Sequence, residues 1–286
     1  MAWSRLGLIA GGGDLPRTLA RASRGEGRLG HVVALEGFAD PADFPGASVR
    51  GIGQIGHMIS DLRGAGCDSV CFAGLVRRPD FRTLKPDWEG MKLLPRALAA
   101  AARGDDALLQ VIVSAFERAG FAVIGAHEVS GRLLAPAGPL GALAPDDAAI
   151  RGDIAKAMEI AAQIGALDIG QGAVVCDGLV LAVEAQEGTD AMLARVAALP
   201  ESVRGTPAAR RGVLAKRPKP QQDVRIDLPT IGVSTVEGAA RAGLAGIAVP
   251  AGGALVVDAG AVREAADATG LFVVGLAPDA LDGDGS

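Results

Sequence analysis

The sequence predicts an α/β protein, with an N-terminal Rossmann-like parallel-sheet domain and a C-terminal mixed α/β domain. Three observations carry that expectation. Short apolar runs alternate with helical periodicity through residues 1–132. A run of three glycines, "LGLIAGGGDLP" from Leu6 to Pro16, follows the first apolar run. Residues 133–145 then lose all periodicity and fill with Pro, Gly and Ala, which marks a linker before a second domain at 146–286.

The elements follow in order. "RLGLIA" is a strand, and Leu15, Leu19 and Ala22 fall on one helical face after it. "HVVALEG" is the second strand, and Ile55, Met58, Ile59 and Leu62 are spaced for a helix. "DSVCFAGLV" is the third strand. "MKLLPRALAAAARG" and "DDALLQVIVSAFERAG" are helices closed by glycine, and "FAVIGAHEV" is the fourth strand. In the second half, Asp146 or Asp147 caps "AAIRGDIAKAMEIAAQIGALD". Asp177-Gly178 between two apolar runs predicts a hairpin, because a type I′ turn needs positive φ at both central residues. "GVLAK", "AGIAVPAGGALVV" and "LFVVGL" read as strands, and "DAMLARVAAL", "VEGAARAGLAG" and "DAGAVREAADATG" as helices.

Composition excludes several classes. Of the 286 residues, 49% are apolar and 21% charged, enough for packed cores. A net charge of −5 argues against duplex nucleic acid, and aromatics at 3% with no Tyr argue against stacking on single-stranded bases. Cys67, Cys71 and Cys176 are odd in number and form no paired CxxC, which fits reduced core thiols of a cytoplasmic protein. No apolar run has bilayer length, and no signal pattern precedes the first strand. His31, His57 and His127 lack metal-ligand spacing, and no serine sits in a GxSxG elbow.

What remains is carboxylates, amines and glycine loops, the parts of metal-assisted phosphoryl chemistry. Gly11, Gly12 and Gly13 supply a turn whose amides can approach phosphate, with Asp14 beside them. The spacing departs from the dinucleotide fingerprint and lacks the Walker lysine. Gln171, Glu184, Glu187, Thr189 and Asp190 cluster at a strand-to-helix junction, where carboxylates and a hydroxyl suit Mg²⁺; Thr189 or Asp190 equally serves as a helix cap. Lys216 stands in a proline-fixed turn. Gln222 and Asp223 follow, and strand alternation then puts Asp223, Arg225 and Asp227 on one face, with Val224 and Ile226 on the other. Thr235 caps the next helix or holds a phosphate.

The stretches "GLIAGGGDLP", "FAGLVRRPDF", "GAHEV", "DIGQGAVV", "AVEAQEGTDAML" and "AKRPKPQQDVRIDLPTIGVST" together resemble the LpxI-type UDP-2,3-diacylglucosamine diphosphatases of lipid A biosynthesis, in order and over nearly the whole chain. The resemblance implies water-dependent cleavage of the UDP-2,3-diacylglucosamine pyrophosphate to 2,3-diacylglucosamine 1-phosphate (lipid X) and UMP. It implies Mg²⁺ or Mn²⁺, two α/β domains with the lipid-linked substrate between them, a homodimer, and peripheral contact with the cytoplasmic face of the inner membrane. The family's critical aspartate falls on Asp227, in "RIDLP". Around it, spacing nominates Glu187 and Asp223 as further metal ligands. Lys216 and Arg225 are the cations that offset phosphate charge, and the Gly11–Asp14 loop, Gln171, Thr189 and Thr235 contact substrate. The competing readings are an NAD(P)-dependent oxidoreductase using the Gly11 loop and a non-catalytic nucleotide-sugar or lipid-binding protein. A bound nicotinamide nucleotide would mark the first, and binding without turnover the second.

Overall fold

The computed structural model describes residues 3–221 and 223–280, and Gln222 lies outside them. The chain forms two compact units. Unit 1 comprises Met1–Arg132 together with Asp223–Ile226, and unit 2 comprises Leu133–Gln222 and Asp227–Ser286.

Unit 1 runs β1 (Leu6–Ala10), α1 (Leu15–Gly25), β2 (Leu29–Leu35), β3 (Ser48–Arg50), α2 (Ile55–Gly64), β4 (Ser69–Ala73), α3 (Trp88–Ala101), α4 (Asp105–Arg118), β5 (Ala122–Val123) and α5 (Ala126–Val129). Its sheet is parallel throughout, in the order β3-β2-β1-β4-β5. That order is Rossmann-like, and every residue of β1 is buried, as a central parallel strand requires. The sheet packs against Ile55, Met58 and Leu62 of α2 and Phe116 of α4. α1 turns Pro16, Leu19, Ala20 and Ser23 inward, so its buried face is rotated from the one that Leu15 and Ala22 suggest. α3 begins three residues before Met91 because the Asp87 side chain accepts the Gly90 N–H at 2.9 Å. The fourth strand is shorter than expected. It ends at Val123, and "AHEV" is a helical turn, with the Glu128 side chain accepting the Gly125 N–H at 2.9 Å.

Unit 2 runs β6 (Gly138–Pro139), α6 (Ala148–Ala166), β7 (Gly172–Cys176), β8 (Leu179–Val183), α7 (Gly188–Ala197), β9 (Val213–Lys216), β10 (Thr230–Ile231), α8 (Val233–Arg241), β11 (Gly246–Pro250), β12 (Leu255–Val256), α9 (Ala259–Thr269) and β13 (Phe272–Leu276). A six-stranded mixed sheet has the order β6-β13-β11-β9-β7-β8, and β10 pairs with β12. β9, β11 and β13 are mutually parallel, whereas β7 runs antiparallel to β9 and β8. The Asp177-Gly178 hairpin is present, with φ of 50° and 75°. Within residues 133–145, β6 pairs with β13 and is part of the sheet. Asp147 caps α6 by accepting the Ala149 N–H at 2.7 Å. One apolar core lies among Val174, Leu214, Ile247 and the inner faces of α7, α8 and α9, and Val213, Ala215 and Phe272 meet α6 on the other side of the sheet.

Candidate active site

Three strand ends of unit 2 converge on one buried cluster. Lys216 is the last residue of β9, and Gly172, the first of β7, is its register partner. Glu184 follows β8 directly, and Thr189 lies in the first turn of α7. Lys216 is 4% and Glu184 6% exposed, so neither charge is left to bulk water. The Lys216 ammonium donates to Thr189 Oγ1 at 2.6 Å, and the Thr189 hydroxyl donates to Glu184 Oε1 at 2.7 Å. Lys216 Nζ also stands 3.8 Å from that carboxylate oxygen and donates to the Thr230 carbonyl at 3.4 Å. The hydroxyl therefore relays between a cation and an anion, and each charge offsets the desolvation of the other.

Two glycines make room for Glu184. A Cβ at Gly170 would overlap the Glu184 carbonyl oxygen, and one at Gly172 would stand 2.6 Å from Glu184 Oε2. That Oε2, and Oε1 of Gln171, are buried with no hydrogen-bond partner. An unsatisfied buried acceptor costs about 1–3 kcal/mol, so this end of the sheet is primed to receive a donor or a cation. Asp227 is half-buried and lies three residues before Thr230. Three residues of extended chain span at most about 11 Å, so Asp227 stays tethered near the Lys216 contact. Glu184 belongs to the cluster visible in sequence, but its pairing with Lys216, 32 positions further along the chain, is a tertiary outcome.

The Asp223–Ile226 stretch corrects the expected strand. It is a turn on unit 1, closed by the Ile226 N–H donating to the Asp223 carbonyl at 2.9 Å. Arg225 forks onto Asp223 with bonds of 3.0 and 2.7 Å, and its third contacts are Glu117 at 3.1 Å and the Val123 carbonyl at 3.4 Å. Gln110 donates to Asp223 at 3.1 Å. The Arg225 hydrogen bond draws the Asp223 carboxyl down to about 2, and the same bond raises the guanidinium further. These two side chains are thus committed to each other. The turn wins over the strand because its i, i+2 spacing closes a bidentate ion pair, which is stronger than a neutral hydrogen bond.

Glu187 is the N-cap of α7, in place of Thr189 or Asp190, and pairs with Arg195 at 2.5 Å. Its own backbone amide, followed by Arg195, holds its carboxyl below the usual range against partial burial. Glu187 and Asp223 each have a guanidinium partner, and Asp223 belongs to unit 1 whereas Glu187 and Asp227 belong to unit 2. Among the described residues, no group of three or more His, Cys, Asp and Glu side chains comes together to hold a metal. Thr235 is buried in α8, and its Oγ1 accepts the Gly232 N–H at 3.3 Å, the capping alternative.

The glycine loop of unit 1 sits where the strand order reverses, beyond the carboxyl ends of β1 and β4. Its glycines have a backbone explanation. The Gly11 N–H donates to the Ala73 carbonyl at 2.8 Å, and Gly12 and Leu75 exchange two bonds of 2.9 Å. A Cβ at Gly11 would lie 2.8 Å from the Leu75 carbonyl oxygen. Two of the three amides expected to face phosphate are consequently spent on the end of β4 and the residue pair that follows it. Gly13, with φ of 87°, has open space around it, and Asp14 pairs with Arg17, which also reaches Asp43 at 3.1 Å.

Fold and cluster together define a two-unit α/β protein, Rossmann-like in its first unit, with a buried ammonium–hydroxyl–carboxylate relay at the strand ends of its second. Residues 5–133 match the family model of the LpxI N-terminal domain and residues 136–274 that of the LpxI C-terminal domain. The chain belongs to the LpxI family. It is 58% identical over 276 residues, 96% of its own length and 98% of the relative's, to the UDP-2,3-diacylglucosamine pyrophosphatase LpxI of Caulobacter vibrioides.

Proposed function

We propose that this chain hydrolyses the pyrophosphate bond of UDP-2,3-diacylglucosamine, releasing 2,3-diacylglucosamine 1-phosphate and UMP, as a step of lipid A biosynthesis. The observation that carries the reading is the buried Lys216–Thr189–Glu184 relay, within a chain 58% identical to a curated pyrophosphatase over 96% of its length. A diphosphate needs its charge offset and a water held in line. Lys216 provides a fixed positive charge in a water-poor setting, where each interaction is stronger than in bulk. Thr189 and Glu184 hold the ammonium in one direction, so no reorganisation is needed as charge develops. Asp227 orients the attacking water. The orphaned acceptors Glu184 Oε2 and Gln171 Oε1 suit substrate hydroxyl or amide donors.

The proposal retains Mg²⁺, with Asp227 as its principal protein carboxylate and Glu187 and Asp223, which also bind Arg195 and Arg225, as further ligands. Mg²⁺ commonly takes one or two carboxylates and shares substrate phosphates. Bound there, it would neutralise phosphate oxygens. The homodimer and the peripheral contact with the inner membrane belong to the same proposal. The oxidoreductase reading is disfavoured by the spent Gly11 and Gly12 amides.

The test is incubation of purified protein with UDP-2,3-diacylglucosamine, with and without EDTA and Mg²⁺, next to Asp227→Ala. UMP release that needs both Mg²⁺ and Asp227 is the expected result. Undiminished turnover by Asp227→Ala would remove that residue, and no UMP under any condition would end the hydrolase reading.

A further inference from the structure

α3 is amphipathic in an unusual sense: it presents apolar residues on both faces. Gly90, Leu93, Ala97 and Ala100, at i, i+3, i+7 and i+10, are buried against unit 1. Trp88, Met91, Pro95 and Leu98 repeat that spacing on the opposite side and face outward. Trp88 is 73%, Met91 54% and Leu98 47% exposed. Five of the twelve exposed large hydrophobics among the described residues fall within residues 75–98, three of them on this one helix face.

The charge around this face is mainly positive, with the exposed Glu89 paired to Lys92 at 2.6 Å and Asp80 in the preceding loop. Lys92 and Arg96 flank it on the helix, both exposed. The preceding loop runs back along α3, because Arg78 bonds the Ala101 carbonyl at the helix end while Asp87 caps the start. That loop carries Arg77, Arg82 and Lys85, also exposed. Residues 75–104 contain seven Lys and Arg against three Asp and Glu, net +4, in a chain whose net charge is −5.

We propose that the outer face of α3 docks unit 1 on an anionic phospholipid surface, Trp88, Met91 and Leu98 entering the headgroup–acyl boundary and the flanking cations meeting lipid phosphates. An interfacial helix with Trp and Leu on one side and Lys and Arg at its margins has this chemistry. Each basic side chain near an anionic leaflet adds to that attraction. The choice of occupant rests in part on the proposed substrate, whose two acyl chains reside in a bilayer; a second copy of this chain, at net −5, is the alternative occupant.

The protein carries its own probe. It has two tryptophans, and Trp3 is buried beneath the Arg28 guanidinium, 3.3 Å from the ring centroid, so lipid-induced changes in emission report Trp88. The full-length protein is titrated with vesicles of phosphatidylglycerol and phosphatidylcholine, with pure phosphatidylcholine vesicles, and with vesicles bearing doxyl-labelled acyl chains. A blue shift and doxyl quenching are expected on the anionic vesicles. Partitioning should weaken at least tenfold on pure phosphatidylcholine and in the Met91→Glu, Leu98→Glu double variant. Circular dichroism and turnover of detergent-dispersed substrate show that the variant is folded. Unchanged emission, absent quenching or wild-type partitioning by the folded double variant would overturn the proposal. So would a variant that dissolves a dimer while the wild type ignores vesicles. Because vesicle binding is read without substrate, a protein that binds vesicles and releases no UMP refutes the hydrolase reading alone.

Discussion

Lys216 and Thr189 meet at 2.6 Å, and the same hydroxyl donates a hydrogen bond to Glu184 at 2.7 Å. The three side chains come from β9, α7 and the residue after β8, so the relay exists only when the sheet of unit 2 is assembled. Its directionality matters: Thr189 can accept from the ammonium because Glu184 takes its hydrogen.

Removing the carboxylate should separate stability from catalysis. Glu184→Ala leaves a buried ammonium without its anion and should cost about 3 kcal/mol, read as a lowered urea midpoint. Glu184→Gln keeps an acceptor for Thr189 and should cost less stability, yet lower kcat by about 10²-fold on the scale of a lost charge-stabilising contact. Thr189→Ser should restore most of what Thr189→Val loses. Equal kcat in the wild type and both glutamate variants would remove Glu184 from the site.

Gly172→Ala perturbs the same carboxylate without touching its charge. The new Cβ would lie 2.6 Å from Glu184 Oε2, so the side chain must swing off Thr189. Steady-state kinetics should show a fall in kcat of about 10-fold or more, in the direction of Glu184→Gln. A fully active Gly172→Ala would mean that the Glu184 position is immaterial to turnover.

The Asp223–Arg225 pair predicts a pH-dependent contribution to unit 1. Arg225 lowers the Asp223 carboxyl from 3.8 to about 2. A carboxyl depressed on folding stabilises the native state above its unfolded value and loses that contribution as pH falls through its folded one. With Arg225 partly open to solvent, the pair should contribute about 1–2 kcal/mol at pH 7. Both tryptophans belong to unit 1, so urea unfolding followed by tryptophan emission reads this unit. Asp223→Asn should be less stable than wild type at pH 7, and the gap should close between pH 4 and pH 2. A gap that persists at pH 2 would assign the effect to something other than this carboxylate.

The glycine loop should respond unequally to alanine. Gly74 has φ of 93°, and its Cβ would lie 2.5 Å from the Gly12 carbonyl oxygen, so Gly74→Ala should cost more than about 2 kcal/mol. Gly13→Ala meets open space and should cost only the backbone strain of its positive φ, about 1–2 kcal/mol. Thermal melts of the two variants check the ranking, and a reversed order would show that close approach of the two loops is not what demands glycine.

The class of fold was legible in the sequence because its signals are local. Apolar runs such as "LGLIA" and "GVLAK", helical spacing at Ile55, Met58 and Leu62, and the Asp177-Gly178 turn depend on residues a few positions apart. The Gln171–Asp190 cluster and Lys216 were visible in the same way, as residue types suited to phosphate gathered near strand ends. Which charge meets which was decided by tertiary structure alone. Asp223 and Arg225 close a turn on α4 in place of a strand, the Gly11 and Gly12 amides are taken by the end of β4 and the residue pair after it, some sixty residues away, and Glu184 reaches Lys216 because β8, β7 and β9 lie side by side. The physical reason is range: propensity and periodicity act over one or two turns of chain, whereas partners of buried charges are chosen by strand order and register, which no short window of sequence contains.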